Sequence, residues 1–245
     1  MRRLATAVLV ATAVMAVACG DGDDDSVDPT APSGGDIGVD VSALSPTVDN
    51  PYVAFASVQR AVYEGEEVDP ETGETVKLRV ESTVEPEPKT VGGVEVTVVE
   101  VLDFEDGELV EKTEDYYAQH RNGDVYYMGE RVDEYEDGEV VSHGGQWLAG
   151  DDGNRAGLFM PSAPKVGDVF EQEQIPDVAE DRSTVVEAGV SVAVPAGTFD
   201  DCIKTEDFDP IDEVTEFKFS CAGVGLVQEL FEAGGSLDLI EYETP

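Results

Sequence analysis

Positive charge is scarce: the 245 residues hold 14 Lys plus Arg against 55 Asp plus Glu, a formal net charge of −41. A surface so poor in cations cannot neutralise a phosphate backbone, which excludes nucleic acid as a partner. Histidine is nearly missing, with only His120 and His143 in the chain. On a meander they fall opposite Val125 and Val132, roughly 23 Å apart at strand spacing, too far to share a metal. There is no G-x-S-x-G elbow, H-E-x-x-H, P-loop or G-x-G-x-x-G, and Gly223-Val224-Gly225 is a lone doublet in a strand turn. Ser142 and His143 are chain neighbours and point to opposite faces of a strand. Among 55 acids, paired carboxylates suited to glycoside hydrolysis arise by chance and decide nothing. The expectation is a protein that is not an enzyme and has neither cofactor nor metal site. Long hydrophobic runs are absent after residue 18, which excludes a polytopic membrane protein, and 41% hydrophobic residues suffice for one core.

The first residues are different in kind. Met1-Arg2-Arg3 supplies a positive end, and Leu4 through Val17 is a charge-free Ala/Val/Leu-rich run shorter than the roughly 20 residues that span a bilayer. It ends at Ala16-Val17-Ala18-Cys19, which resembles a bacterial lipobox with Ala16 where Leu is more usual. Residues 1–18 therefore read as a lipoprotein signal peptide, and Cys19 as the lipidated residue that tethers the exported chain to the cell membrane. The alternative is an incidental thiol beside an Ala-x-Ala cleavage site. Residues 19–49 carry Asp21, Asp23, Asp24, Asp25, Asp28, Asp36, Asp40 and Asp49 with no Lys or Arg, among Gly, Ser, Thr and Pro. That composition predicts a disordered acidic tether. Asp21-Gly22-Asp23-Asp24-Asp25 lacks the Gly and distal Glu of a calcium loop, so a solvated spacer is expected there.

From residue 50 to 243 the pattern changes to period two, with turn dipeptides between alternating runs. The fold class expected is all-β: an antiparallel meander of hairpins forming a curved sheet or partly open barrel, with a long irregular mid-domain loop. Asp106-Gly107, Asn122-Gly123 and Asp137-Gly138 favour the paired positive φ of type I′ turns, as do Gly92-Gly93, Gly234-Gly235 and Thr72-Gly73 more weakly. A two-residue loop at Asn122-Gly123 pairs Tyr117 with Met128, so Tyr117, Tyr126 and Met128 share one face and Tyr116 and Tyr127 the other. Aromatics on both faces suggest a sheet covered twice or one with a concave, ligand-holding side. The irregular stretch from Gly144 to Pro164 carries the single tryptophan. Trp147 either packs over a sheet end or faces a carbohydrate or lipid.

Several strings carry a resemblance: Tyr116-Tyr117-Ala118-Gln119, Asn122-Gly123-Asp124-Val125-Tyr126-Tyr127, Met160-Pro161, Lys165-Val166-Gly167-Asp168, Val178-Ala179-Glu180-Asp181, Val194-Pro195-Ala196-Gly197-Thr198-Phe199 and Gly223-Val224-Gly225-Leu226-Val227. In order and spacing they resemble a family of uncharacterised exported bacterial β-rich proteins and lipoproteins, over roughly residues 50–232. The resemblance implies, as fold analogy alone, the curved antiparallel sheets of lipoprotein-carrier and lipid-binding lipoproteins. It implies no catalytic residue.

With Cys19 assigned to lipid, Cys202 and Cys221 remain. A four-residue loop Pro210-Ile211-Asp212-Glu213 pairs Asp209 with Val214, and the same register sets Cys202 opposite Cys221, so a cross-strand disulfide follows in an oxidising compartment. That register also puts Lys204 opposite Phe219 and Glu206 opposite Phe217, which leaves open a bulge shifting it by one residue, two reduced thiols, or a metal site lacking a histidine.

The functional expectation is a membrane-anchored, extracytoplasmic, non-catalytic binding module. Its ligand is apolar or lipid-like and is held by Tyr117, Tyr126, Met128 and Trp147 on a concave face. The alternative is an acidic structural or protein-binding surface protein. Either would bind cations diffusely.

Overall fold

The structure is a computed structural model describing residues 36–69 and 72–245. The signal peptide, Cys19 and the tether up to residue 35 lie outside the described residues. Sixteen strands form one antiparallel sheet. The first half contains β1 (Leu44–Ser45), β2 (Arg60–Val68), β3 (Thr75–Val84), β4 (Lys89–Val91), β5 (Val94–Glu105), β6 (Glu108–His120), β7 (Val125–Glu136) and β8 (Glu139–Ser142). The second contains β9 (Trp147–Leu148), β10 (Gly157–Met160), β11 (Val169–Glu171), β12 (Arg182–Val194), β13 (Gly197–Asp209), β14 (Val214–Cys221), β15 (Gly225–Phe231) and β16 (Gly235–Glu243).

Twelve strands make a continuous path, β10-β7-β6-β5-β3-β2-β16-β15-β14-β13-β12-β11, so two meanders are joined where β2 pairs with β16. The sheet curls strongly without closing into a barrel. Its two ends still approach each other: a Cβ on Gly157 of β10 would fall 1.7 Å from the carbonyl oxygen of Gln172, just past β11. Only glycine permits that approach of backbone to backbone. Gln172 Nε2 donates to the carbonyl of Phe159 across the same seam at 3.4 Å.

Turn chemistry sets most of the register. Asp106 and Gly107, Asp137 and Gly138, and Gly92 and Gly93 all have positive φ and close two-residue loops, as expected of type I′ turns. Asn122-Gly123 differs. Gln119 pairs with Val125 and Tyr117 with Tyr127, so the loop holds one residue more, with Gly123 alone at positive φ (95°). A three-residue loop of this kind takes glycine at its left-handed position. The shift of one residue turns β7 over relative to the expected pairing. Tyr117 and Tyr127 therefore share the inner face, and Tyr126, opposite Ala118, lies on the outer one.

The outer face of β5 to β7 is covered. Val96, Val98, Tyr116, Ala118 and Met128 are fully buried, Ile37, Val48, Leu148 and Ala149 join the same core, and Ala43 is buried as well. Ordered structure thus begins before residue 50, and residues 36–49 are cover rather than tether. The short 3-10 turn Val41–Ala43 is capped by Asp40, β1 pairs with β6, and Ile37 sits against Gly92 at the β4–β5 tip. The buried Asn50 ties this segment down, its Nδ2 donating to the carbonyls of Gly123 (3.0 Å) and Pro161 (3.1 Å).

In the second half, the expected register of β13 and β14 holds without a bulge. Asp209 pairs with Val214 and Cys202 with Cys221, which form a disulfide with 3.9 Å between their Cα atoms. The pairings that made this register look costly are themselves contacts: Lys204 Nζ lies 4.2 Å from the Phe217 ring centroid and 5.5 Å from that of Phe219. These groups share one side of the sheet, so Glu216, Lys218 and Ser220 take the other, inner one.

Candidate ligand-binding cavity

The inner face changes character along the curl. Near β6 and β7 it is aromatic: Tyr117 lies 5.0 Å from Tyr127, 5.0 Å from Phe55 and 4.9 Å from Phe159 by ring centroids. Near β12 to β15 it is charged. Glu216, Lys218, Asp207 and Glu229 all point inward, where a sheet of this size normally places aliphatic side chains. Between the two regions lies a partly open cavity of about 80 Å³. Tyr52, Phe55, Tyr63, Tyr127 and Phe159 line it together with Glu173, Asp181, Ser183, Asp207, Lys218 and Arg60.

Each polar wall residue is held in place. Trp147, on β9, reaches inward because it pairs with Glu130 of β7, and Gly129 permits this, since a Cβ there would fall 2.2 Å from the Trp147 carbonyl. The indole packs edge-on against Tyr127 at 5.6 Å, and its Nε1 donates to Glu173 Oε1 at 2.6 Å. The Glu173 backbone N–H donates to the Asp181 carbonyl at 3.2 Å, and the two carboxyl groups act on each other. Burial, reinforced by Asp209, pushes Asp181 up to about 7. Burial and then Asp181 itself push Glu173 well above the carboxylate range, against the Trp147 bond, which pulls it down.

Asp207 accepts from Ser183 Oγ at 2.6 Å and from Lys218 Nζ at 3.4 Å. Lys218 also meets Glu216 at 3.4 Å and Glu229 at 3.9 Å. Burial works against its charge, but Glu229, Glu216 and Asp207 outweigh it and hold the ammonium above the usual lysine range. Lys218 is therefore already surrounded by carboxylates, and the other lining cation, Arg60, is paired with Glu81, Glu241 and Glu243. Behind the aromatic side, Tyr117 Oη, Asp115 Oδ2 and Glu130 Oε1 are buried without a hydrogen-bond partner. Burial raises Asp115 and Glu130 well above the carboxylate range. Among the described residues, no group of three or more His, Cys, Asp or Glu is arranged to hold a metal ion.

Of the four ligand-binding residues expected from the sequence, none lines the cavity. Tyr117 is fully buried one layer behind it, Trp147 supports Glu173 from the side, Met128 faces the outer core, and Tyr126 is half-buried outside against His120. Tyr127 lines it instead, because of the longer loop at Asn122-Gly123. Sequence reasoning missed Glu173, Asp181, Asp207 and Lys218. One signal was present: in Glu216-Phe217-Lys218-Phe219 the alternation is clean, and what it withholds is which face is inside.

No family model matches the chain, and a search of curated proteins returns no match. Among solved structures, the chain is similar to "a putative lipoprotein from Parabacteroides distasonis", at a TM-score of 0.41 and 13% identity, over 78% of this chain and 98% of that one. A likeness at that level says nothing about ligand or partner.

Proposed function

We propose that the protein is an exported, lipid-anchored binding module that holds a small polar solute inside its curled sheet without transforming it. The supporting observation is the inverted alternation of β14, which directs Glu216 and Lys218 inward and Phe217 and Phe219 outward beside a cavity. Burying that many carboxylates costs stability unless the interior serves something polar. An acyl chain fits poorly, because apolar ligand pockets run from roughly 300 Å³ upward and this wall would set methylenes against carboxylates. The space suits a solute of about five to eight non-hydrogen atoms, at about 10–15 Å³ for each water-sized group. The apolar ligand expected from the aromatics on both faces of the Tyr116–Met128 hairpin therefore gives way to a compact polar one.

Anchoring rests on Leu4 to Cys19, and the acidic residues between Cys19 and the folded part would hold the cavity clear of an anionic membrane surface. Cys19→Ala should shift the protein out of the membrane fraction, and unchanged fractionation refutes the anchor. The binding reading is tested by native mass spectrometry of protein drawn from its own membrane. A retained small molecule is expected in the wild type and none in Ala61→Phe, which fills the cavity from the inner face of β2. If wild type and variant show the same bare mass, a structural or protein-binding role replaces this reading.

A further inference from the structure

From the wall chemistry, and resting on the binding reading above, we propose that the solute is a small organic cation, an ammonium group with a compact apolar body. Three features of the cavity select it.

The first is charge. Glu173, Asp181 and Asp207 line the cavity, and its two cations are already met by carboxylates, Lys218 by Asp207, Glu216 and Glu229 and Arg60 by Glu81, Glu241 and Glu243. An anion would have to approach Lys218 past carboxylates that already occupy its ammonium. A neutral apolar ligand would strip water from Glu173 and Asp181 and return nothing. A cation offsets that desolvation directly.

The second is the aromatic part of the lining. Tyr52, Phe55, Tyr127 and Phe159 line the same space as the carboxyl groups. Ring faces attract cations by their quadrupole, and the effect strengthens where water is excluded. Carboxyl groups and aromatic rings around one space make a cage that suits a bulky, weakly hydrated ammonium better than a metal ion, which demands several converging oxygens.

The third is the layer behind the rings. Asp115 Oδ2 and Glu130 Oε1 are buried without a hydrogen-bond partner, and burial holds both groups in the protonated form. A cation in the cavity would favour ionisation of these carboxyl groups, which a neutral or anionic solute would not.

The test uses choline and its uncharged isostere 3,3-dimethyl-1-butanol, titrated calorimetrically into the full-length mature protein in detergent. Choline should bind at one site, at least about tenfold more tightly than the isostere. Glu173→Gln should weaken choline by about tenfold with the isostere unchanged, and Phe159→Leu should weaken it severalfold. Thermal unfolding checks that each variant is folded, and Asp181→Asn replaces Glu173→Gln should the latter not fold. Equal binding of choline and isostere overturns the cation inference and leaves the binding reading standing. So does a retained native solute alongside no choline binding. No binding of either probe together with a bare native mass overturns both.

Discussion

Trp147 Nε1 donates to Glu173 Oε1 across 2.6 Å, and this bond ties the short strand β9 to the segment that follows β11. The two residues are 26 positions apart; β9 pairs with β7 near one end of the sheet path, and Glu173 follows β11 at the other. Their bond therefore fastens the curl as well as orienting a cavity carboxyl group. Trp147→Phe keeps an aromatic ring beside Tyr127 but leaves Glu173 without its donor. A loss of about 1–3 kcal/mol in chemical denaturation is expected. A change within experimental error would mean that the bond neither orients nor fastens anything.

Buried carboxyl groups give the fold an unusual pH dependence. Burial, then Glu216, pushes Glu67 up to about 8, and Asp181 stands at about 7. A carboxyl group with a raised folded-state pKa binds its proton more tightly when folded. Its stabilisation is complete below the unfolded value near 4 and is lost as pH rises through the folded value. Asp103, Asp115, Glu130, Glu173 and Glu229 are raised in the same direction. The melting temperature should therefore fall steadily from about pH 5 to about pH 9, against the usual optimum between about 5 and 8. A melting temperature that rises over that interval would show that these groups are ionised and paired.

Salt should stabilise the protein. A net charge of −41 repels itself, and screening acts within about 10 Å at 0.1 M. Magnesium and calcium should raise the melting temperature alike, without a saturable transition. A single sharp calcium transition would reveal a specific site in place of this diffuse effect.

The disulfide closes the β13–β14 hairpin. Peptides containing Cys202 and Cys221 should be found linked in non-reducing mass spectrometry, and Cys202→Ser with Cys221→Ser should cost about 3 kcal/mol on a loop-entropy basis. Two freely alkylated thiols in the exported protein would refute the bridge.

How far the sequence could be read depended on whether the deciding information was local. The turns at Asp106-Gly107 and Asp137-Gly138 and the Cys202–Cys221 register were legible because turn type and loop length set them. Asn122-Gly123 misled because the same dipeptide serves both a two-residue loop and a three-residue one, and the choice between them depends on packing. Residues 36–49 read as solvent-exposed from their aspartates, yet Ile37, Ala43 and Val48 are spaced to cover an exposed sheet face. The cavity was hidden for a related reason. Period two shows that Lys218 and its phenylalanine neighbours lie on opposite faces, but inside and outside are defined only once the sheet has curled.

The central claim is that a small cation enters the cavity and not the acidic outer surface. The most direct measurement is a two-dimensional amide NMR spectrum of the mature protein, recorded with and without choline. Shift changes should cluster at Tyr52, Phe55, Ala61, Glu173, Asp181, Ser183, Thr205 and Lys218 and saturate together. Changes spread over the exposed acidic strands without saturation, or no changes at all, would contradict it.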